Sequence, residues 1–188
     1  MLQDADIRII IGASSQQYPG WIQTQEDELN LTNRAHWTAR FQPGTISRIL
    51  AEHVWEHLLP DDAATAARMC FEFLRPGGFV RVAVPDGLFP DEAYQRIVQV
   101  GGPGPADHPA ASHHVVYDYR TLPGVFARTG FDVRLLEWWD ERGEFHAEPW
   151  NEREGFIYRS ARFDHRNQGG RFGFTSLIVD AVKPAGEG

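Results

Sequence analysis

The chain of 188 residues carries one cysteine, Cys70. A lone thiol closes no internal disulfide, so stability must come from a packed core, and the composition suits a reducing compartment. Basic residues are also in deficit, with 18 Lys and Arg against 26 Asp and Glu and a formal net charge of −8. A nucleic-acid backbone is neutralised by clustered cations, so nucleic acid is excluded as the main partner. No apolar run reaches the ~18–20 residues of a membrane helix. The opening MLQDADIRIII lacks the basic region and small-residue cleavage site of an export signal. The expectation is a soluble, cytoplasmic protein with no membrane partner. P-loop, nucleophile-elbow and CxxC patterns are missing too, which removes their chemistries.

What is present argues for one globular domain spanning 1–188. The hydrophobic fraction is 42%, with six Trp and twelve Phe, enough for a sizeable core. The stretch FEFLRPGGFVRVAVPD, residues 71–86, is the most informative. It reads as a helix end, a turn at Pro76-Gly77-Gly78, and a buried strand over Phe79–Val84 interrupted by Arg81. Asp86 follows at the C-terminal end of that strand, the edge where open α/β sheets bind ligands.

The remaining elements follow in order. IRIII (7–11) is a β-branched first strand that ends on Gly12, Ala13 and Ser14. WIQT (21–24) is a short second strand, and Gln25 and Glu26 just past it stand where an acidic group holds ribose hydroxyls, or else form part of a solvated acidic loop. LNLTN (29–33) offers a third strand, RAHWTARF a helix, and Ile46–Ala51 a further strand. Asp61 is placed as the N-cap of the helix that leads into the central stretch. A loop insertion over about 87–116, a helix ending at Gly130, a strand at 131–139, a hairpin-like excursion over about 140–173 and a last strand at 174–182 complete the chain.

These residues resemble the class I S-adenosylmethionine-dependent methyltransferases. AEHVWEHL and LRPGGFVRVAVPDG are similar to the signatures of a small bacterial subgroup of predicted methyltransferases. The resemblance implies an α/β, Rossmann-like methyltransferase fold, with a mostly parallel sheet, a terminal antiparallel strand and helices on both faces. It also implies S-adenosyl-L-methionine as cofactor. Gly12, Ala13 and Ser14 would border its methionine part, Gln25 or Glu26 its ribose, and Asn30 and Leu31 its adenine. Ala51 and Glu52 would lie where cofactor and acceptor meet. The first turn keeps one glycine where that family shows two or three, and QQYPG stands where a crossover helix is expected.

Methyl transfer needs alignment above all, and sometimes a base. His53 is the candidate base, or else a structural histidine at the strand end. His113, His114 and Tyr117, with Asp86, are expected to line an acceptor pocket for a small molecule; an aromatic cover or homodimer contact is the other use of that region. His53 and His57 lie four apart and more histidines follow on the long loop, which raises a metal-dependent enzyme as an alternative. HVWEH is not HExxH and no cysteine ligands accompany it, so no metal ligand is assigned. A non-catalytic protein that keeps the fold is the remaining alternative.

Overall fold

Alternation of side chains across the sheet accounts for the core. In β1 (Ile7–Ile11), Ile9 and Ile11 point to one face and Ile10 to the other. The same split recurs in β3 (Ile46–Glu52), β4 (Leu74–Pro85) and β7 (Ser176–Val182), where Ile49, Val82 and Val179 share one face and Leu50, Ala83 and Ile178 the other. With β2 (Ile22–Thr24), β5 (Asp132–Trp139) and β6 (Phe145–Ala147), these make one sheet in the order β2-β1-β3-β4-β7-β5-β6. β1 to β5 run in one direction, and β6 and β7 oppose them. This computed structural model describes residues 6–102 and 108–186. The middle of the expected 87–116 insertion, 103–107, lies outside the described residues.

The α/β, Rossmann-like class holds, with three corrections to the detail. Residues 29–33 form no strand; they turn, and β2 is the edge of the sheet. Asp61 does not cap the long helix α2 (Pro60–Phe73): Leu59 occupies the N-cap and Pro60 the first turn, with Asp61 and Asp62 complementing the helix dipole. Among the described residues, helices pack on one face of the sheet core. There α1 (Arg34–Arg40), α2 and α4 (Thr121–Ala127) bury Trp37, Ala63, Ala66, Ala67, Phe73, Leu122 and Phe126. Cys70 lies in that layer, and burial pushes its thiol well up, as expected for an inert core residue. The short α3 (Glu92–Val98) belongs to a separate cluster with Phe89 and Trp139.

The opposite face is covered by irregular chain. Tyr18 and Trp21 from the first crossover, and Trp150 and Ile157 from the excursion, pack on Ile10, Leu50, Ala83 and Ile178. Irregular backbone cannot satisfy its own polar groups, so the strands supply partners. Arg81, only 2% exposed, forms a two-pronged pair with Asp180 directly across the ladder at 2.7 and 2.8 Å. Its remaining nitrogen donates to the carbonyls of Asn151 and Gly155 at 2.9 and 2.7 Å, and its plane lies over Trp150. The residue that interrupts the apolar run is thus the clamp for the second layer.

Pro76-Gly77-Gly78 also differs from the expected turn. β4 begins directly after α2, and its register against β3 slips between Leu74 and Phe79, so the PGG segment bulges inside one long strand. A side chain at Gly78 would stand 2.9 Å from the Ser47 carbonyl. Lys183 serves the end of α2: its ammonium donates to the carbonyls of Phe71 and Leu74, both at 2.8 Å. Among the described residues, no helix is long and apolar enough to cross a membrane.

Removing the Arg81 side chain leaves a half-buried carboxylate and two carbonyls without a donor. Arg81→Ala should destabilise the protein by about 3 kcal/mol or more, read by urea unfolding. Proteolysis within 148–163 should accelerate at the same time; an unchanged cleavage pattern would mean that the second layer is held some other way.

Candidate functional site

The C-terminal ends of β1, β2 and β3 open on a common space. At the end of β1, Gly12 adopts φ +59°, and Ser14 follows at φ +48°. His53, just past β3, has φ +57°. Ser14 and His53 are the non-glycine residues with positive φ among the described residues, and such backbone persists where its surroundings over-determine it. Both line one cavity.

Two cavities meet here. The first, about 600 Å³, is bordered by Gly12, Glu26, Asn30, Leu31, His53 and His57. The second, about 550 Å³, is bordered by Gly12, Ser14, Glu52, His53, His57 and His113, and also by Arg159 and Arg166. Gly12, His53, His57 and Pro109 belong to both. A broader depression of about 840 Å³ extends the first cavity outward past Glu26 and Asn30.

The first cavity gathers much of the expected cofactor set. Gln25 is committed elsewhere: its Nε2 donates to the Ser14 carbonyl at 3.0 Å and its Oε1 accepts from the Ser14 amide at 3.2 Å. It braces the turn that a second glycine would otherwise shape. Glu26 is exposed and has no partner among the described residues, so its carboxylate is the one available to a pair of hydroxyls. Asn30 accepts from the Thr32 amide and hydroxyl, which leaves its Nδ2 uncommitted among the described residues. Leu29 and Leu31 form the apolar end. Ala13 and Ala51 are fully buried and border neither cavity.

Glu52 borders the second cavity, but its oxygens accept from Gln16 Nε2 at 2.6 Å and from the amides of Tyr158 and Arg159 at 3.1 and 2.8 Å. It ties the first crossover and the excursion to the strand end.

His53 is equally engaged. Ser176 Oγ lies 2.8 Å from the Arg159 carbonyl, which takes its hydroxyl hydrogen, so Ser176 accepts from His53 Nε2 at 3.0 Å. His53 Nδ1 then lies 2.9 Å from Glu56 Oε1, without the alignment of a hydrogen bond. Both ring nitrogens of the expected base thus lie within 3.0 Å of protein atoms.

The expected acceptor residues divide. His113 borders the second cavity as expected. His114 is exposed and borders the first cavity instead. Tyr117 is 4% exposed, borders neither cavity, and burial pushes its hydroxyl up to about 12. Asp86 has no exposed surface to offer a ligand; its oxygens accept from the amides of Leu88 and Trp139 at 2.9 and 2.8 Å. It is a lock between β4 and β5. Residues that the sequence did not single out as ligands, Glu56, Tyr94 and Phe174, also border the second cavity.

The fold has counterparts among solved structures. A methyltransferase dependent on S-adenosylmethionine from Archaeoglobus fulgidus matches with TM-score 0.55 at 11% identity, over 96% of this chain and 87% of that one. One from Methanosarcina mazei matches with TM-score 0.54 at 13% identity, over 97% and 94%. This is the fold of the S-adenosylmethionine-dependent methyltransferases. A third such enzyme, described as a possible histamine N-methyltransferase from Thermotoga maritima, matches with TM-score 0.51 at 11% identity, over 94% and 82%. No protein-family model and no curated protein matches the chain.

Burial raises the Asp86 carboxyl to about 6, against the help of its two amide donors. Between about pH 4 and 6 the native state therefore holds a proton that the unfolded chain releases, and stability falls as pH rises through that window. The loss should be about 3 kcal/mol. In Asp86→Asn this dependence disappears, on top of a constant offset from the mismatched Trp139 amide. Urea unfolding of both proteins from pH 4 to 7 should show their difference changing up to pH 6 and then levelling. A difference independent of pH would contradict the assignment.

Proposed function

We propose that the protein is an S-adenosylmethionine-dependent methyltransferase acting on a small-molecule acceptor, of the subgroup that the AEHVWEHL and PGG-AVPD signatures suggest. The observation that carries this reading is the pair of cavities meeting across Gly12, His53 and His57. One is suited to an adenosine, with a free carboxylate for ribose hydroxyls and an apolar end at Leu29 and Leu31. The other, of about 550 Å³, is of the size that takes a small ligand.

When bound, the cofactor supplies an electrophilic methyl group on a sulfonium. The chain's contribution is to bind and align. Glu26 would accept from the ribose hydroxyls, and the left-handed turn at Gly12 would let the backbone approach the methionine part of the cofactor. A side chain at Gly12 would meet Val54 Cγ2 at 3.0 Å, so this approach also depends on the contact between the two strand ends. His53, held from both sides, forms a wall shared by the two cavities. Arg159, without an acidic partner among the described residues, favours an acceptor with negative charge, whereas Arg166, stacked on Phe174, is already paired with Asp164. In-line geometry at the junction supplies the main acceleration.

Calorimetry with S-adenosylmethionine and S-adenosylhomocysteine tests the reading; no heat with either at millimolar concentration would overturn it. Glu26→Gln removes a charge-assisted contact of about 1.5–3 kcal/mol, and should weaken binding about 10–100-fold. Its melting temperature should not change, because the carboxylate supports nothing else.

A further inference from the structure

We infer that Glu56, His57 and His113 form a divalent-metal site in the wall of the acceptor cavity. One atom from each of these side chains lies within 4.8 Å of the other two. Hydrogen bonding on the far side of each ring decides which nitrogen is available. His113 Nδ1 lies 2.9 Å from the Val98 carbonyl, which only accepts, so Nδ1 carries the hydrogen and Nε2 keeps a lone pair. Ser112 gives its hydroxyl hydrogen to the Pro109 carbonyl at 2.9 Å and therefore accepts from His57 Nδ1 at 2.8 Å, which leaves His57 Nε2 bare as well.

The third donor is Glu56, whose side chain is 1% exposed. Oε1 lies 2.9 Å from His53 Nδ1 and 4.0 Å from His57 Nε2, and both Glu56 oxygens are buried with no hydrogen-bond partner among the described residues. Two bare imidazole nitrogens and a buried carboxylate thus face one another without enough protons among them, an arrangement that a cation relieves.

Two features mark the site as built. Each histidine donates its other N–H to an oxygen, the support that metal-bound imidazoles usually have. The backbone is fixed too, because the Glu56 carbonyl accepts from the amides of His114 and Val115 at 2.7 and 3.3 Å, stapling the loop that bears His113 to the turn that bears Glu56 and His57. Two imidazoles and a carboxylate suit a transition-series ion or zinc. Bringing the donors to the ~3.3 Å separation of a tetrahedral shell takes small side-chain rotations. The contrast is Asp140, Glu144 and His146, where His146 Nε2 lies 2.9 Å from Asp140 and that carboxylate also accepts from the Glu144 amide, so the grouping satisfies itself.

Three protein ligands leave a position open toward the cavity, where water or an acceptor hydroxyl or carboxylate oxygen would complete the shell. That role for the cation rests on the methyltransferase reading; the site itself does not. The test therefore uses the full chain, stripped with chelator and free of cofactor and acceptor, titrated with Zn²⁺ by calorimetry and with Co²⁺ by visible absorption. One ion should bind per chain at roughly micromolar affinity, with d–d bands in the Co²⁺ form. His57→Ala, at a partly exposed position, and His113→Ala should each weaken binding at least about tenfold, and His146→Ala should not. No saturable binding below 1 mM (roughly −4 kcal/mol), or unchanged affinity in His57→Ala, would overturn the proposal. Because no cofactor is present, failure here leaves the methyltransferase reading untouched, and the reverse holds.

Discussion

An irregular layer can cover a sheet only if the sheet itself supplies the hydrogen bonds that a helix would have made internally. That constraint shapes this protein. On its second face Arg81, Glu137 and Glu52 each rise from a strand and bind the backbone of the excursion. Arg81 takes the carbonyls of Asn151 and Gly155. Glu137 accepts from the Ala161 amide and from Trp150 Nε1. Glu52 accepts from Tyr158 and Arg159. Polar side chains at buried strand positions would be costly if unpaired; here they replace a missing layer of helices.

The same constraint explains why the site departs from the expected layout. With no helix after β1, the glycine turn has no helix N-terminus behind it. Its conformation is held instead by Gln25 on Ser14 and by the Ala13 amide on the Thr24 carbonyl. Glu52 anchors Gln16 of the same crossover. Residues that the sequence placed against the ligand are partly the residues that build the walls: of the pair named for the ribose, Gln25 braces the turn and Glu26 is the one left free.

Legibility in the sequence followed the range of the interactions. Ile7–Ile11, Ile46–Ala51 and the last strand were readable because β-branched runs and side-chain alternation are local signals. The PGG segment was read as a turn because the same residues serve a bulge, and only the ladder between β3 and β4 distinguishes the two. Arg81 looked like an interruption until its partner Asp180, ninety-nine residues away, came to lie beside it. Asp86 stands at the edge predicted for it, yet it closes β4 onto β5 instead of meeting a ligand. The Glu56, His57 and His113 grouping drew two members from one turn and one from a distant loop, so no spacing rule could have assembled it.

The central claim is that an adenosine-bearing cofactor lies between the end of β1 and the segment after β2. Hydrogen–deuterium exchange with and without S-adenosylhomocysteine addresses it directly. The account predicts slowed exchange confined to residues 12–15, 25–32 and 53–58. Binding with protection elsewhere, and none at the Gly12 turn or around Glu26, would contradict it.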